Sequence, residues 1–274
     1  MTTSVSARSE PARLTVSLVT FQPDFSTLHK TLVCLSRALG QIPGEHVKLF
    51  VIDNSQIDSV SPLLADIPFP CEVQVVHGHG NIGFGRAHNL VLAQTGRYHL
   101  IVNPDIEMKP PMLRQAIEFM DAHPCCDLLT PRASWPNGTR QYLCKRYPAL
   151  VDLVVRGFAP GPVKSLFARR LERYEMRRET DGRTYWDPPI VSGCFMFFRG
   201  SALRALKGFD PHYFLYFEDF DLSYRAGQHG RTAYVPQIEV VHAGGHAAQK
   251  GFWHIKQFLI SATIFYRSHG LRIL

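Results

Sequence analysis

Between Leu14 and Ala122 the hydrophobic period of the chain switches repeatedly, and that alternation limits the folds open to it. Residues 14–21 (LTVSLVTF) are β-branched and apolar and stop before Pro23, the pattern of a buried strand. Residues 25–40 place Leu28, Leu32, Leu35 and Leu39 on one helical face and end at Gly40. Further strands are expected over 47–52, 72–76 and 98–102, with helices over 85–95 and 110–122. Strands alternating with helices make an α/β protein with a mostly parallel, doubly wound sheet. Ligands of such sheets sit at the carboxyl ends of strands, where Asp53 and Asp105 fall.

Past residue 130 the alternation stops. Residues 131–190 are rich in Pro, Arg and aromatics, and 164–178 (KSLFARRLERYEMRR) read as a basic helix. Strand character returns over 190–198, and helices are expected over 201–207, 219–227 and 252–268. Residues 1–13 are polar and read as a disordered tail without a signal segment. No apolar run is long enough to span a bilayer. The net charge of +7 favours an anionic partner. No helix-turn-helix, zinc or RNA-binding signature is present, which argues against nucleic acid. Six cysteines without a CxxC pair fit reduced thiols of a cytoplasmic protein.

Four segments carry candidate chemistry. Gly78-His79-Gly80-Asn81-Ile82-Gly83 spells the GxGxxG dinucleotide fingerprint, between a strand and a helix, with Asp105 roughly 20 residues on. It supports an NAD(P)-dependent oxidoreductase, although the unit stands third in the sheet rather than first. A plain tight turn is the simpler use of the same glycines. Asn103-Pro104-Asp105 aims a carboxylate beyond a strand end, where it can bind Mg²⁺ or Mn²⁺ or cap the next helix. Within Phe209 to Leu222, three closely spaced acids, Glu218, Asp219 and Asp221, sit among aromatics. Apolar surroundings raise a carboxyl pKa and suit a general base, while helix-start acids are the structural alternative. Val240 to His246 ends a strand in His242 and two glycines, which fits a metal ligand or a structural histidine.

These segments occur in an order that resembles family 2 glycosyltransferases, in particular the bacterial rhamnosyltransferase-like branch. The residues concerned are Asp53-Asn54-Ser55, Asn81 to Asn89, Asn103-Pro104-Asp105, Val191-Ser192-Gly193 to Arg199, Phe209 to Arg225 and His242. The resemblance spans roughly 14–246 and implies a GT-A fold, a Rossmann-like sheet with an acceptor-binding half and a C-terminal helix. It implies a nucleotide half over about 14–130, an acceptor half over about 131–250 and a C-terminal amphipathic helix over 251–274. It puts Thr20 and Asp53 at the nucleobase, Gly83, Arg86, Asn89 and Asn103 along the nucleotide and its phosphates, and Asp105 and His242 on a divalent metal. Asp219 becomes the base, with Glu218 beside it. Asn103 stands where many members carry the first acid of an Asp-x-Asp motif.

The activity implied is inverting transfer of a sugar, L-rhamnose from dTDP-rhamnose first, from a nucleotide-sugar donor. The acceptor implied is a saccharide or a polyprenyl-diphosphate-linked saccharide, in O-antigen or other cell-surface polysaccharide synthesis. The helix over 252–268 could lie on the anionic cytoplasmic face of the inner membrane or pack on the core. The missing first carboxylate leaves a non-catalytic nucleotide-binding scaffold as a further alternative.

Overall fold

The computed structural model describes residues 12–42, 46–244 and 251–273. The expected tail over 1–13 lies outside the described residues except for Ala12 and Arg13, as do Gly245 and His246.

Leu14–Thr20 (β1), Val47–Asp53 (β2), Glu72–Val76 (β3) and Tyr98–Val102 (β4) form the first half of the sheet. They pair in parallel in the order β3-β2-β1-β4. Parallel neighbours require crossovers, and Phe25–Leu39 (α1), Ser61–Ala65 (α2) and Phe84–Asn89 (α3) lie in them. α1 begins where Asp24 accepts the Thr27 N–H at 2.8 Å, and it buries Leu28, Leu32, Leu35 and Leu39 in the core. The helix expected over 85–95 is cut short. α3 ends at Asn89, and Leu92–Gln94 is a separate 3₁₀ turn.

The second half opens with Ile106–Met108 (β5), Met112–Ala122 (α4), Cys126–Ser134 (β6), Arg140–Gln141 (β7) and Cys144–Lys145 (β8). Three short helices follow, Leu150–Phe158 (α5), Gly161–Leu166 (α6) and Ala168–Tyr174 (α7). Then come Tyr185–Trp186 (β9), Ile190–Val191 (β10), Phe195–Arg199 (β11) and Gly200–Ala205 (α8). Glu218–His229 (α9), Arg231–His242 (β12) and Phe252–His269 (α10) complete the described chain. β11 inserts antiparallel between β4 and β6, while β12 runs parallel to β6 and antiparallel to β5. That insertion brings the 192–194 turn to the carboxyl end of β4, where Asn103 N donates to Cys194 O at 2.9 Å.

Two expectations for this half are corrected. The stretch 164–178 is not one helix, because α6 and α7 meet at Phe167, whose backbone (φ −96°, ψ 11°) leaves the helical region. The strand over 190–198 breaks at Ser192-Gly193-Cys194, between β10 and β11.

α10 settles against aromatic side chains. Phe265 is fully buried, with its ring against Tyr147, Phe217 and Phe220. Burying such a side chain contributes roughly 1.5–3 kcal/mol. Phe252, Leu259 and Ile260 of the same helix stay exposed. Among the described residues no helix is long and apolar enough to cross a membrane.

Candidate active site

The ends of β1 and β2 are neighbours, since Thr20 pairs with Asp53. Both are buried, and among the described residues the Thr20 hydroxyl has no hydrogen-bond partner. Asp53 is committed to its own loop. One oxygen accepts the Ser55 N–H at 2.9 Å, and the other accepts the Ser59 N–H at 2.9 Å and hydroxyl at 2.8 Å. Burial would raise its pKa, but these bonds from Ser55 and Ser59 outweigh it and lower the value. Asn54 joins this strand end to the glycine loop by donating to Gly83 O at 3.2 Å and bonding His79 Nε2 at 2.8 Å.

The GxGxxG run serves packing. Gly83 has φ 92°, and a Cβ there would lie 2.4 Å from Phe214 O. Phe84 N, the first amide of α3, already donates to Phe214 O at 3.2 Å. A dinucleotide pyrophosphate would need that close backbone approach and that amide. Moreover β3 is the edge strand. Asn89, expected along the phosphates, is bonded to a neighbouring loop. Its side chain donates to Phe209 O at 2.7 Å and accepts from Phe209 N at 3.0 Å, stapling the 208–217 loop to α3. Arg86 holds the same loop through Nε, at 2.6 Å from Pro211 O.

A cavity of about 900 Å³ collects Asn103, Asp105, Glu218, Asp219 and His242. Thr20, Asp53, Gly83, Arg86 and Asn89 do not line it. β12 delivers His242 beside β5, and Ala243 N donates to Asp105 O at 3.0 Å. His242 Nε2 then lies 3.4 Å from Asp105 Oδ1. Gln141 of β7 fixes the imidazole from behind. Its Nε2 donates to His242 O at 2.7 Å, so its Oε1, 2.8 Å from His242 Nδ1, must accept. Nδ1 therefore carries the hydrogen, and in the neutral ring the Nε2 lone pair faces Asp105. This is the outer-shell arrangement typical of metal-bound histidines.

Among the described residues Asp105 Oδ1 is buried without a hydrogen-bond partner. A Cβ on Gly244 would lie 2.0 Å from Asp105 Oδ2, so only glycine leaves that oxygen room. These donors fit a divalent cation. Among the described residues no group of three acidic, histidine or cysteine side chains gathers to hold one. The remaining coordination positions would fall to diphosphate oxygens and water, as is usual for Mg²⁺ at phosphate sites.

The acidic pair sits at the start of α9. Tyr216 and Phe217, immediately before it, both have left-handed backbones (φ 70° and 63°). Such residues cost about 1–3 kcal/mol each and cluster at functional sites. Asp219 Oδ2 accepts the Gly193 N–H at 2.8 Å, and Oδ1 accepts the Phe220 N–H at 3.0 Å. Burial raises the Asp219 pKa against the pull of these two bonds. Burial, then the Asp219 charge, raises Glu218 as well, and among the described residues Glu218 Oε2 has no hydrogen-bond partner. Asp221 belongs to the scaffold. It pairs with Arg225 at 2.7 Å and with His269 of α10 at 2.7 Å.

Sequence reasoning missed Gln141, which no local pattern marks. It also missed Lys145 and Arg156 of the cavity's cationic wall, whereas Lys164 and Arg177 of that wall fall in the basic stretch 164–178.

The fold is that of the GT-A glycosyltransferases. The chain belongs to glycosyl transferase family 2, whose family model matches residues 25–206, and it is a glycosyltransferase. It is 29% identical over 252 residues to the N-acetylglucosaminyl-diphospho-decaprenol L-rhamnosyltransferase of Mycobacterium tuberculosis, covering 85% of this chain and 77% of that protein. It is 28% identical over 233 residues to the rhamnosyltransferase WbbL of Escherichia coli, covering 77% and 80%. Among solved structures, the Pyrobaculum calidifontis mannosyltransferase PcManGT in complex with GDP-Man and Mn²⁺ superposes with a TM-score of 0.63 at 18% identity, over 96% of this chain and 66% of that one. GalNAc-T7 with UDP, GalNAc and Mn²⁺ gives 0.59 at 17%, over 84% and 43%. The nicotinamide alternative falls with the family assignment and with the packing role of Gly83.

Proposed function

We propose that the chain is an inverting rhamnosyltransferase of cell-surface polysaccharide synthesis. It moves L-rhamnose from dTDP-rhamnose to a saccharide carried on a polyprenyl diphosphate. The names of the two curated relatives support the sugar, and the first of them supports the acceptor. The observation that carries the chemistry is the shared cavity, which holds a buried acid pair and the Asp105–His242 pair.

Asp219 is the base. The Gly193 and Phe220 amides orient its carboxylate, and burial strengthens it as a proton acceptor. It takes the proton of the acceptor hydroxyl as that oxygen attacks the anomeric carbon from the face opposite the nucleotide. One displacement inverts the centre. Burial, then the Asp219 charge, raises Glu218 to about 8, so it stays protonated beside an ionised Asp219 and leaves a single negative charge in the pair. Asp105 and His242 would hold Mg²⁺ or Mn²⁺, which would supply positive charge to neutralise the departing diphosphate. Thr20 offers its unpartnered hydroxyl to the nucleobase, Asp53 shapes the loop beneath it, and Asn103 lies along the diphosphate.

The acceptor lipid brings the protein to the cytoplasmic face of the inner membrane. The exposed Phe252, Leu259 and Ile260 of α10 meet the leaflet there, with Lys256 and Arg267 supplying charge. The test is transfer by the purified protein with Mn²⁺ and a prenyl-diphosphate-linked N-acetylglucosamine. Donors are dTDP-rhamnose, UDP-N-acetylglucosamine and GDP-mannose, each alone. A product gaining one deoxyhexose from dTDP-rhamnose is expected. Product from another donor, with none from dTDP-rhamnose, overturns the sugar assignment.

A further inference from the structure

We propose that Lys145, Arg156 and Arg177, gathered round Glu175 and joined by Lys164, form the seat for the diphosphate of a glycosyl-diphosphate acceptor. Glu175 holds the place of that anion while it is absent. The inference rests on the acceptor reading above and adds the residues that recognise its phosphates.

Three cations converge on one carboxylate. Arg177 Nη2 lies 2.7 Å from Glu175 Oε2, Arg156 Nε 3.4 Å from Oε1 and Lys145 Nζ 3.7 Å from Oε1. A structural ion pair needs one cation, and the others remain in excess on the cavity wall. Lys164 lines the same cavity. The layering matters too. The side chains of Glu175 and Lys145 are 15% and 9% exposed, whereas those of Arg156 and Arg177 are 49% and 42% exposed. The acid lies deep and the guanidinium groups face the opening, as an incoming anion requires. Burial, then the Arg156 charge, lowers Lys145 to about 7, and an incoming anion would favour its charged form. Guanidinium groups are well matched to phosphate oxygens.

The position suits an acceptor. Lys145 pairs with Ile190 across β8 and β10, and Gly193, which holds Asp219, is three residues further along that chain. Three residues span at most about 10 Å, within the reach of one hexose and its anomeric phosphate. The donor diphosphate has a different place, at Asp105 and His242 on the β4 and β12 ends. The helices that carry Arg156 and Lys164, α5 and α6, also expose Val154 and Leu166. A prenyl chain leaving the phosphates would find apolar surface beside them.

The test compares two acceptors of the same sugar, a prenyl-diphosphate-linked N-acetylglucosamine and an alkyl glycoside without phosphate. In Arg156→Gln and Arg177→Gln the ratio of kcat/KM between the two falls about tenfold, the worth of one charge-assisted hydrogen bond. A ratio that keeps its wild-type value in both variants, whatever the overall rate, overturns the seat. So does a rise confined to the donor KM, which would move the cluster to the donor side. If the wild type transfers to neither acceptor, the acceptor reading itself fails. Calorimetry with farnesyl diphosphate in EDTA then decides the seat alone. Binding that weakens about tenfold in Arg177→Gln supports it, and no binding to the wild type overturns it.

Discussion

Gly193 and Asp219 are fitted to each other. The Gly193 N–H meets Asp219 Oδ2 at 2.8 Å, and a Cβ on residue 193 would lie 2.9 Å from the Asp219 Cβ. The break between β10 and β11 exists where this contact is made. It turns what reads in sequence as one strand into a short loop that presents an amide to a buried acid.

Gly193→Ala is therefore expected to displace the acid without removing it. A shift on the order of 1 Å at a reacting group can cost about a hundredfold in rate. The kcat for transfer should fall at least about tenfold while the nucleotide-sugar dissociation constant stays within about twofold. An unchanged kcat would mean that the carboxylate of Asp219 does not set the rate.

The Gln141 clamp should govern metal affinity. Gln141→Leu removes the acceptor for the His242 Nδ1 hydrogen and lets the ring take the other tautomer. Loss of such partners typically weakens metal binding about 10–100-fold. The Mn²⁺ concentration for half-maximal transfer should rise accordingly, and Gln141→Glu, which keeps an accepting oxygen, should recover part of the loss. Equal metal dependence in all three proteins would remove His242 from the metal.

A buried histidine pair gives the fold an acid limit. Ser17 Oγ lies 2.7 Å from His88 Nδ1 and 2.9 Å from His99 Nε2, beneath the sheet. Burial, then the Arg204 charge, lowers His99 to about 3. Burial, then His99, lowers His88. Below about pH 6.5 the unfolded chain binds protons on both rings and the folded chain does not, so stability falls as pH falls. Each ring contributes about 1.4 kcal/mol per pH unit until its folded-state value is reached. Glu218, shifted upward, works in the opposite sense, so the informative quantity is a difference. Urea titrations between pH 6 and 4.5 should give His99→Asn a slope of stability against pH shallower than wild type by about 1.4 kcal/mol per unit. Equal slopes would show that His99 is protonated in the folded protein.

The parts of the fold that can be read in sequence are those whose residues act locally. β1 and β4 are buried along their whole length and appear as largely apolar runs. β6 is hidden by Pro131 and by polar Asp127, Thr130 and Arg132, because its pairing with β11 and β12 is long-range. The same division holds for the site. Asp105, Asp219 and His242 sit in recognisable short motifs. Gln141, Lys145 and Glu175 lie on a ribbon, a short strand and a helix end, and acquire meaning only when α5 and α7 fold over β8. Asn89 and Arg86 are the converse case, motif residues whose polar atoms hold a loop.

The central claim is that Asp219 removes the acceptor proton. Single-turnover transfer by Asp219→Asn, with donor and Mn²⁺ saturating, measures it most directly. General base catalysis contributes about 10²–10⁴-fold, so the rate should fall by at least about a hundredfold while the variant still binds dTDP-rhamnose as tightly as wild type. A rate within about threefold of wild type would contradict the assignment and direct attention to Glu218.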